Sequence, residues 1–265
     1  MSNPGEMELA AMEGAHIAGK LLRERFRSDL QIGIREKGLH DFVTEVDRAS
    51  EAALTGYIGR RFPGHAIMAE EGSPDVERRE FRWIIDPLDG TTNFIHGIPM
   101  FAVSVALEDR DGLLAGAIYD PVHDEMFHAS RGNGARLNDR SIRCSEPARF
   151  DDALLCTGFP FRYFHKVDGY LKVFRTFMEG TSGIRRAGSA AMDLAYTACG
   201  RYDGFWETGL APWDMAAGAL LIREAGGIVT DFRGEDAFLD QGEIVAGGPA
   251  VHGRMLGAVQ EHLAD

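Results

Sequence analysis

One segment of the sequence, W-I-I-D-P-L-D-G-T-T-N-F at residues 83–94, restricts the fold and the chemistry of this chain most strongly. It begins with an apolar, strand-like run and then places Asp86, Asp89, a glycine and two threonines close together. A turn needs only one such residue, so this density of carboxylates and hydroxyls exceeds a structural requirement. The proline and the glycine would hold the backbone so that both carboxylates and the Leu88 carbonyl converge. Hard oxygen ligands in this number predict a magnesium site.

The residues after this pair of acids predict an anion site beside the cation. The backbone amides of Gly90 and Thr91 would point outward at the start of the next element, where amides form a cradle suited to a phosphate. A purely structural interpretation stays open, in which the Asp-Gly pair forms a turn and residues 91–93 cap the next element.

Two further acids follow the ends of other predicted elements. Glu70 comes after the apolar strand 66–69, and Asp214 follows Pro212 at the start of a predicted helix. Both acids could join the same site. Equally, Glu70 could lie in a surface turn, and Asp214 could serve the helix dipole alone.

Thr44 and Asp47 have the spacing of a helix N-cap followed three residues later by an acid. A structural cap is one interpretation of the pair. The functional alternative is that Asp47 and Thr91 together orient a water molecule. The two roles are compatible.

The spacing of apolar residues predicts a mixture of helices and strands. The strand-rich middle of the chain predicts a mixed or antiparallel sheet, and the last third is typical of α/β structure. The predicted helices are 6–26, 45–61, 170–178, 190–199, 213–225 and 250–263; the predicted strands are 66–69, 83–85, 101–107, 113–119, 125–128, 204–206, 227–229 and 243–246; residues 29–42 are expected to form a loop.

No internal repeat, low-complexity tract or linker-like stretch interrupts this pattern. We therefore expect residues 1–265 to form a single unit. Two halves within it are possible, 1–155 with the N-terminal helices and the first sheet and 156–265 with the α/β part, and they would share a close interface.

Composition excludes several classes of function. The chain has 41 Asp and Glu against 28 Lys and Arg, a formal charge of −13, which argues against a broad nucleic-acid-binding surface. Its three cysteines are widely spaced, so neither a disulfide framework nor a zinc site is predicted, and a reducing cytoplasm fits best. The first residues lack the basic start of a signal peptide, and no apolar run approaches the roughly 20 residues that span a bilayer.

The acid-bearing segments together closely resemble the inositol monophosphatase family. The resemblance rests on D-F-V-T-E-V-D at 41–47, the Glu70-Glu71 pair, the segment 83–94 and the W-D-x-A-A-G motif at 213–218, and it covers nearly the whole chain. It implies a mixed α/β (α+β) fold, a layered α-β-α-β-α sandwich of the inositol monophosphatase and fructose bisphosphatase type. It also implies a homodimer.

The resemblance assigns roles to individual residues. Two to three Mg²⁺ ions would be held, and a water that is deprotonated toward Thr91 and Asp47 would attack the phosphorus directly, without a covalent intermediate. The implied metal ligands are Glu70, Asp86, Leu88, Asp89 and Asp214; the implied catalytic residues are Asp47, Glu70 and Thr91; the implied substrate contacts are Leu88, Asp89, Gly90, Thr91, Arg185, Gly188, Ser189, Ala190, Glu207 and Asp214.

The implied activity is hydrolysis of inositol monophosphate to inositol and phosphate, with sensitivity to lithium. Fructose bisphosphatase, histidinol-phosphate phosphatase and a 3′-phosphoadenosine 5′-phosphate phosphatase are alternatives, because most of the site is shared among them. Residues 92–94 and Glu207 favour the inositol type. A different class of function is also open, since some bacterial members of the family resemble partners of the transcription machinery.

Overall fold

The computed structural model describes residues 3–27, 34–38, 41–72, 79–161 and 163–263, without the side chains of 34–38 and 41–43. In this part of the chain the helices are α1 (Pro4–Arg25), α2 (Glu45–Arg61), α3 (Thr91–Ile95), α4 (Val167–Gly180), α5 (Ala190–Ala198), α6 (Pro212–Glu224), α7 (Phe238–Gln241) and α8 (Pro249–His262). The strands are β1 (Ile34–Gly38), β2 (Asp41–Thr44), β3 (Ala66–Ala69), β4 (Arg82–Asp89), β5 (Ala102–Asp109), β6 (Gly112–Asp120), β7 (Glu125–Ser130), β8 (Ala135–Leu137), β9 (Arg140–Ser141), β10 (Leu154–Thr157), β11 (Gly183–Arg185), β12 (Gly204–Thr208), β13 (Ile228–Thr230) and β14 (Glu243–Gly247).

The elements stack in five layers, helix, sheet, helix, sheet, helix, which confirms the predicted α-β-α-β-α sandwich. Helices α1 and α2 cover one face of a seven-stranded sheet with the order β3-β4-β5-β6-β7-β8-β9. Helices α5 and α6 lie between this sheet and a five-stranded sheet with the order β11-β10-β12-β14-β13. Helices α4 and α8 cover the outer face of the second sheet.

The core is continuous between the two sheets. One hydrophobic cluster contains Ile84 of the first sheet, Phe205 of the second, and Leu194 and Leu220 from the helices between them, all at most 3% exposed. Burying one side chain of this size stabilises the folded state by about 1.5–3 kcal/mol. The central helices therefore hold both sheets in one packed interior.

Small residues let α1 lie close to the first sheet. Its buried stripe includes four alanines as well as Met7 and Leu22, as the predicted helix 6–26 requires. Gly19 is the closest point, because a Cβ atom there would lie 2.4 Å from Cδ1 of Tyr119. Any larger side chain at this position would force the helix off the sheet.

Both sheets are mixed. In the first, β3 and β4 run parallel while the remaining neighbours are antiparallel; in the second, β10 is parallel to β11 and β12, and β14 is antiparallel to β12 and β13. Because β3 and β4 are parallel, their carboxyl ends meet at one edge of the sheet. Glu70 follows β3 there, and its amide donates to the Ile85 carbonyl at 3.3 Å.

The structure corrects the expected loop 29–42, because β1 and β2 form an antiparallel pair within it. The apolar pattern misses this pair because residues 34–38, I-R-E-K-G, contain a single large apolar residue. Other short elements, α3, α7 and β8 to β11, were also not predicted, since runs of two to five residues carry little periodicity.

The first sheet ends at Ser141 and the second begins with β10 at Leu154. Strand β10 includes position 155, where the two possible halves of the sequence would meet, and the division into these halves stays a prediction. None of the helices in the described part of the chain has the length and apolar character needed to cross a membrane.

Candidate active site

A β-bulge in β4 brings two carboxylates to one face of the sheet. Asp86 pairs with Ser104 of β5, and Asp89 pairs with Ala102, so β4 has one more residue than β5 over this interval. Residues three apart on a regular strand point to opposite faces, and one extra residue reverses that. The predicted strand 83–85 is therefore too short, because the strand continues to Asp89 with a bulge.

The turn itself comes one residue later, at Gly90. This residue has a φ of 92°, and a Cβ atom there would lie 2.9 Å from the Met100 carbonyl oxygen. Both the left-handed conformation and the close approach favour glycine. Gly90 thus joins β4 directly to the short helix α3, which contains Thr91.

Asp86, Asp89 and Asp214 form a compact cluster, in which one carboxylate oxygen of each lies within 4.8 Å of the others. Asp214 comes from the first turn of α6, where its Oδ2 accepts a hydrogen bond from the Ala211 amide at 2.7 Å. Asp214 therefore caps α6 and also lies in the acid cluster, and its role as a metal ligand stays a prediction. Glu70 borders the same cavity but lies outside this group of three.

Helix α5 fixes the orientation of Asp89. The Ser189 hydroxyl donates to Asp89 Oδ2 at 2.5 Å, and the Ala191 amide donates to the same oxygen at 2.7 Å. Ser189 also caps α5 by accepting from the Met192 amide at 3.3 Å. These bonds place Ser189 beside the acid cluster as a positioning residue for Asp89.

Burial raises the pKa values of all three aspartates in the cluster. Burial raises the pKa of Asp86 well above its usual range, and the charges of Glu70, Asp89 and Asp214 add to the effect. Burial raises the pKa of Asp89 to about 6, although the bonds from Ser189 and Ala191 oppose the shift. Burial also raises the pKa of Asp214 well above its usual range, and the charges of Asp89 and Glu70 add to this effect.

Such buried, mutually repelling carboxylates fit a hard divalent cation. The cation would neutralise the negative charges of the carboxylates. The Leu88 carbonyl, which is also in the bulge, supplies a further hard oxygen nearby. The Leu88 amide donates to Asp86 Oδ1 at 2.9 Å, which leaves Oδ2 of that carboxylate for another partner. The donor set therefore suits magnesium better than zinc or copper.

Asp47 connects helix α2 to this site. The Thr44 amide donates to Asp47 Oδ2 at 2.9 Å, and the Thr44 hydroxyl also bonds to that oxygen, which completes the predicted capping box. The Thr91 hydroxyl lies 3.0 Å from Asp47 Oδ1 and 3.1 Å from the Leu88 carbonyl oxygen. Burial raises the pKa of Asp47, and its hydrogen bonds with Thr44 and Thr91 oppose that shift.

A cavity of about 460 Å³ opens over the acid cluster. Glu207 of β12 lies on its wall, against Gly158, where a Cβ atom would be only 1.8 Å from Glu207 Oε1. Most of the residues assigned from the sequence border the cavity, namely Glu70, Asp86, Leu88, Asp89, Gly90, Thr91, Gly188, Ser189, Ala190, Glu207 and Asp214.

Arg185 does not border the cavity, whereas its neighbour Arg186 does. Arg185 is exposed in β11, at the edge of the second sheet, and its Nη1 donates to the Ile184 carbonyl at 3.2 Å. Arg186 extends over the rings of Phe159 and Phe161, at 5.2 and 5.6 Å from their centroids. The alternation of side chains along an extended segment explains why only one arginine of the pair borders the cavity.

Sequence reasoning also missed Asp193, which borders the cavity from α5 and is 2% exposed. The available signal was an acid within the otherwise apolar stretch A-A-M-D-L-A. A single acid on a buried helix face is uncommon unless it is paired or functional. Gly158 and Phe159 also border the cavity, but no feature of the sequence around them indicated this position.

The fold and the site together define the class of protein. A layered α-β-α-β-α sandwich carries an acid cluster at a bulged strand end, which opens into a cavity closed by the central helices. The chain belongs to the inositol monophosphatase family, whose sequence profile matches residues 3–264.

Individual relatives carry two kinds of name. A Pseudomonas aeruginosa protein named Nus factor SuhB is 50% identical over 259 residues, covering 96% of this chain and 95% of that protein. A Mesorhizobium japonicum protein named inositol-1-monophosphatase is 44% identical over 254 residues, covering 96% of each. The solved structure of the extragenic suppressor protein suhB from Bartonella henselae has a TM-score of 0.89 and 42% identity, covering 97% of this chain and 98% of that one.

Proposed function

We propose that this protein is a Mg²⁺-dependent phosphomonoesterase that hydrolyses inositol monophosphate to inositol and phosphate. The observation that carries the proposal is the convergence of Asp86, Asp89 and Asp214 within 4.8 Å at the floor of a substrate-sized cavity. Membership of the inositol monophosphatase family supports the same activity.

The metal ligands proposed are Glu70, Asp86, the Leu88 carbonyl, Asp89 and Asp214, which together would hold two to three ions. Bound there, magnesium supplies positive charge to the phosphate oxygens and lowers the pKa of a coordinated water. The protein's own part is to fix the carboxylates. Asp89 is fixed by the bonds from α5, and Asp214 by the bond from the Ala211 amide.

The Thr91 hydroxyl and Asp47 form the proposed proton acceptor for the attacking water. Their 3.0 Å bond lies beside Leu88, at the edge of the cluster. Buried Asp47 holds Thr91 in one orientation, so the hydroxyl can accept from a water while its own proton points at the carboxylate. The amides of Gly90 and Thr91 would receive the phosphate, with no covalent intermediate.

Glu207 is proposed to accept hydrogen bonds from hydroxyls of the alcohol, from its position on the cavity wall. Gly188, Ser189 and Ala190 border the same space and would limit its shape. The related substrates fructose bisphosphate, histidinol phosphate and nucleotide phosphates are alternatives that would use the same metals. Arg185, which points away from the cavity, is retained only as a candidate for contacts with a partner subunit.

Phosphate release by the purified protein tests the proposal. We expect release from inositol 1-phosphate with Mg²⁺ and none with EDTA, and inhibition by lithium. Glu70→Gln and Asp214→Asn should each lower kcat by orders of magnitude. Activity that is unchanged in EDTA would refute the metal dependence, and a stronger preference for fructose, histidinol or nucleotide phosphates would replace the substrate.

A second candidate function is a partner of the transcription machinery, because the relative at 50% identity is named a Nus factor. The two functions can be separated with Asp89→Asn. If this variant loses phosphatase activity but still co-purifies with transcription proteins from its host, binding is independent of the chemistry. A homodimer and a cytoplasmic location also stay predictions; light scattering of the purified protein tests the first.

A further inference from the structure

Asp193 stands out among the buried polar groups. Its side chain is 2% exposed, and Oδ1 has no hydrogen-bond partner among the residues described. Within that part of the chain, the other buried side-chain atom without a partner is Nε1 of Trp206, which lies in the apolar cluster beneath α4 and α8. Only Asp193 borders the cavity.

An unpaired buried oxygen is costly, by about 1–3 kcal/mol, so it is retained where something else compensates. The α5 helix does not need this acid for its cap, because Ser189 already provides one. Burial raises the pKa of Asp193 well above its usual range, and the charges of Glu207 and Asp89 add to this, while Arg186 opposes it. The group is thus a carboxyl that faces a ligand space with hydrogen-bonding capacity to spare.

Asp193 lies apart from the proposed metal ligands. It is one helical turn beyond Ser189, and its oxygens are not among those that cluster within 4.8 Å. Its electrostatic neighbour on the wall is instead Glu207. A carboxyl that carries its proton can donate one hydrogen bond, and the oxygens of a second carboxyl beside it can accept others. That combination matches adjacent hydroxyl groups, each of which donates and accepts.

We propose that Asp193 is a substrate-contacting residue, which together with Glu207 hydrogen-bonds adjacent hydroxyls on the alcohol part of a polyol phosphate. This inference rests on the proposed phosphatase function and adds the residue that selects a polyol over other alcohols. A substrate whose leaving group has no hydroxyl besides the one esterified to phosphate, such as p-nitrophenyl phosphate, does not use Asp193.

The test compares two substrates and three variants. Asp193→Ala should raise KM for inositol 1-phosphate roughly 3- to 10-fold, the loss of one hydrogen bond, and leave kcat/KM for p-nitrophenyl phosphate unchanged. Asp193→Asn, which keeps a donor and an acceptor, should recover most of the lost affinity. Thr176→Val, which loses a hydroxyl bond to the Lys172 carbonyl in α4 and lies away from the cavity, should alter the kinetics of neither substrate.

Stability supplies an independent measurement. Because Asp193 Oδ1 is unpaired, the equal-sized change Asp193→Asn should have a Tm equal to or above that of the unchanged protein, whereas the same change at a hydrogen-bonded structural carboxylate would lower it. Without metal, myo-inositol should raise the Tm of the unchanged protein more than it raises that of Asp193→Ala at the same concentration.

Several outcomes would overturn the inference. The first is an unchanged KM for inositol 1-phosphate in Asp193→Ala. The second is an equal loss of kcat/KM on both substrates in that variant. The third is a Tm of Asp193→Asn below that of the unchanged protein. If the unchanged protein hydrolyses p-nitrophenyl phosphate but no polyol phosphate, the polyol inference fails and the phosphatase proposal survives. If it hydrolyses neither, the phosphatase proposal fails, and the myo-inositol experiment still decides whether Asp193 contacts a polyol.

Discussion

Ser189 Oγ lies 2.5 Å from Asp89 Oδ2, although the two residues are 100 positions apart in the sequence. The contact joins the N-terminus of a helix in the middle layer to the end of a strand in the first sheet. It therefore couples the packing of α5 between the sheets to the orientation of a proposed metal ligand. Residues that orient a ligand in this way tune a metal site strongly.

Removing this contact should weaken the metal site. We expect Ser189→Ala to lower Mg²⁺ affinity or activity by about 10- to 100-fold, because Asp89 loses one of the hydrogen bonds that orient its carboxylate. The Mg²⁺ dependence of phosphate release measures the effect. Ser182→Ala, which loses hydroxyl bonds to the Asp152 and Ala153 carbonyls away from the cavity, is the matched control. Equal responses of the two variants would contradict the prediction.

Asp47 should matter more for the rate than for stability. Asp47→Asn keeps the size of the side chain but removes the charge that accepts from Thr91, so we expect kcat to fall by about 100- to 10,000-fold. The comparison variant is Thr44→Ala, which loses the helix cap at a cost of about 1 kcal/mol, a Tm decrease of about 2–4 °C. If Thr44→Ala lost as much activity as Asp47→Asn, the cap alone would explain the role of Asp47.

The acid cluster should be unstable without a cation. Burial, Asp89 and Glu70 raise the pKa of Asp214, so in EDTA we expect Asp214→Asn to have a higher Tm than the unchanged protein. Mg²⁺ should reverse this order, since saturation at about 100 times Kd stabilises the unchanged protein by about 2.7 kcal/mol. Thermal unfolding in EDTA and in Mg²⁺ measures both effects. A Tm that is insensitive to Mg²⁺ would remove the cluster as a metal site.

The contact between Glu8 of α1 and β7 should make stability depend on pH. Burial alone would raise the pKa of Glu8, but the hydrogen bonds with His128 and Ser130 outweigh it, and the pKa lies below 4.5. A carboxyl with a lowered pKa in the folded state contributes stability above about pH 4.5 and loses it as pH falls through the folded pKa.

Glu8→Gln should therefore lower the free energy of unfolding by about 1–3 kcal/mol near pH 7, with a smaller effect below about pH 4. Urea unfolding at several pH values measures the difference. Glu6→Gln, an exposed change on the same helix, should have little effect at any pH. A deficit in Glu8→Gln that is equal at all pH values would show that packing, and not charge, explains the contact.

The sequence predicted the elements with strong periodicity well. The predicted helix 45–61 matches α2 at both ends, since Thr44 caps it and Pro63-Gly64 follow it. The antiparallel pair of β1 and β2 was missed, because residues 34–38 contain a single large apolar residue and show no apolar alternation. The other elements that were not predicted are runs of two to five residues, which carry little periodicity.

The structure brings most of the predicted site residues to one cavity, but the sequence did not predict their orientation. The bulge in β4 could not be read from the sequence, because it depends on the register against β5. The choice between Arg185 and Arg186 depends on which way an edge strand faces. Asp193 was overlooked, since a lone acid in an apolar helix has no partner nearby in the sequence.

The sequence by itself therefore determined the chemical inventory: the carboxylates, the hydroxyls, the glycine at position 90 and the alternation of helices and strands. Local interactions within a few residues are enough to specify these features. Tertiary structure alone decided which carboxylates meet, because Asp86, Asp89 and Asp214 belong to different elements or are joined by a bulge. It also decided that Ser189 orients Asp89 and that Arg186 and Asp193 face the cavity, since those contacts exist only once α5 is packed between the two sheets.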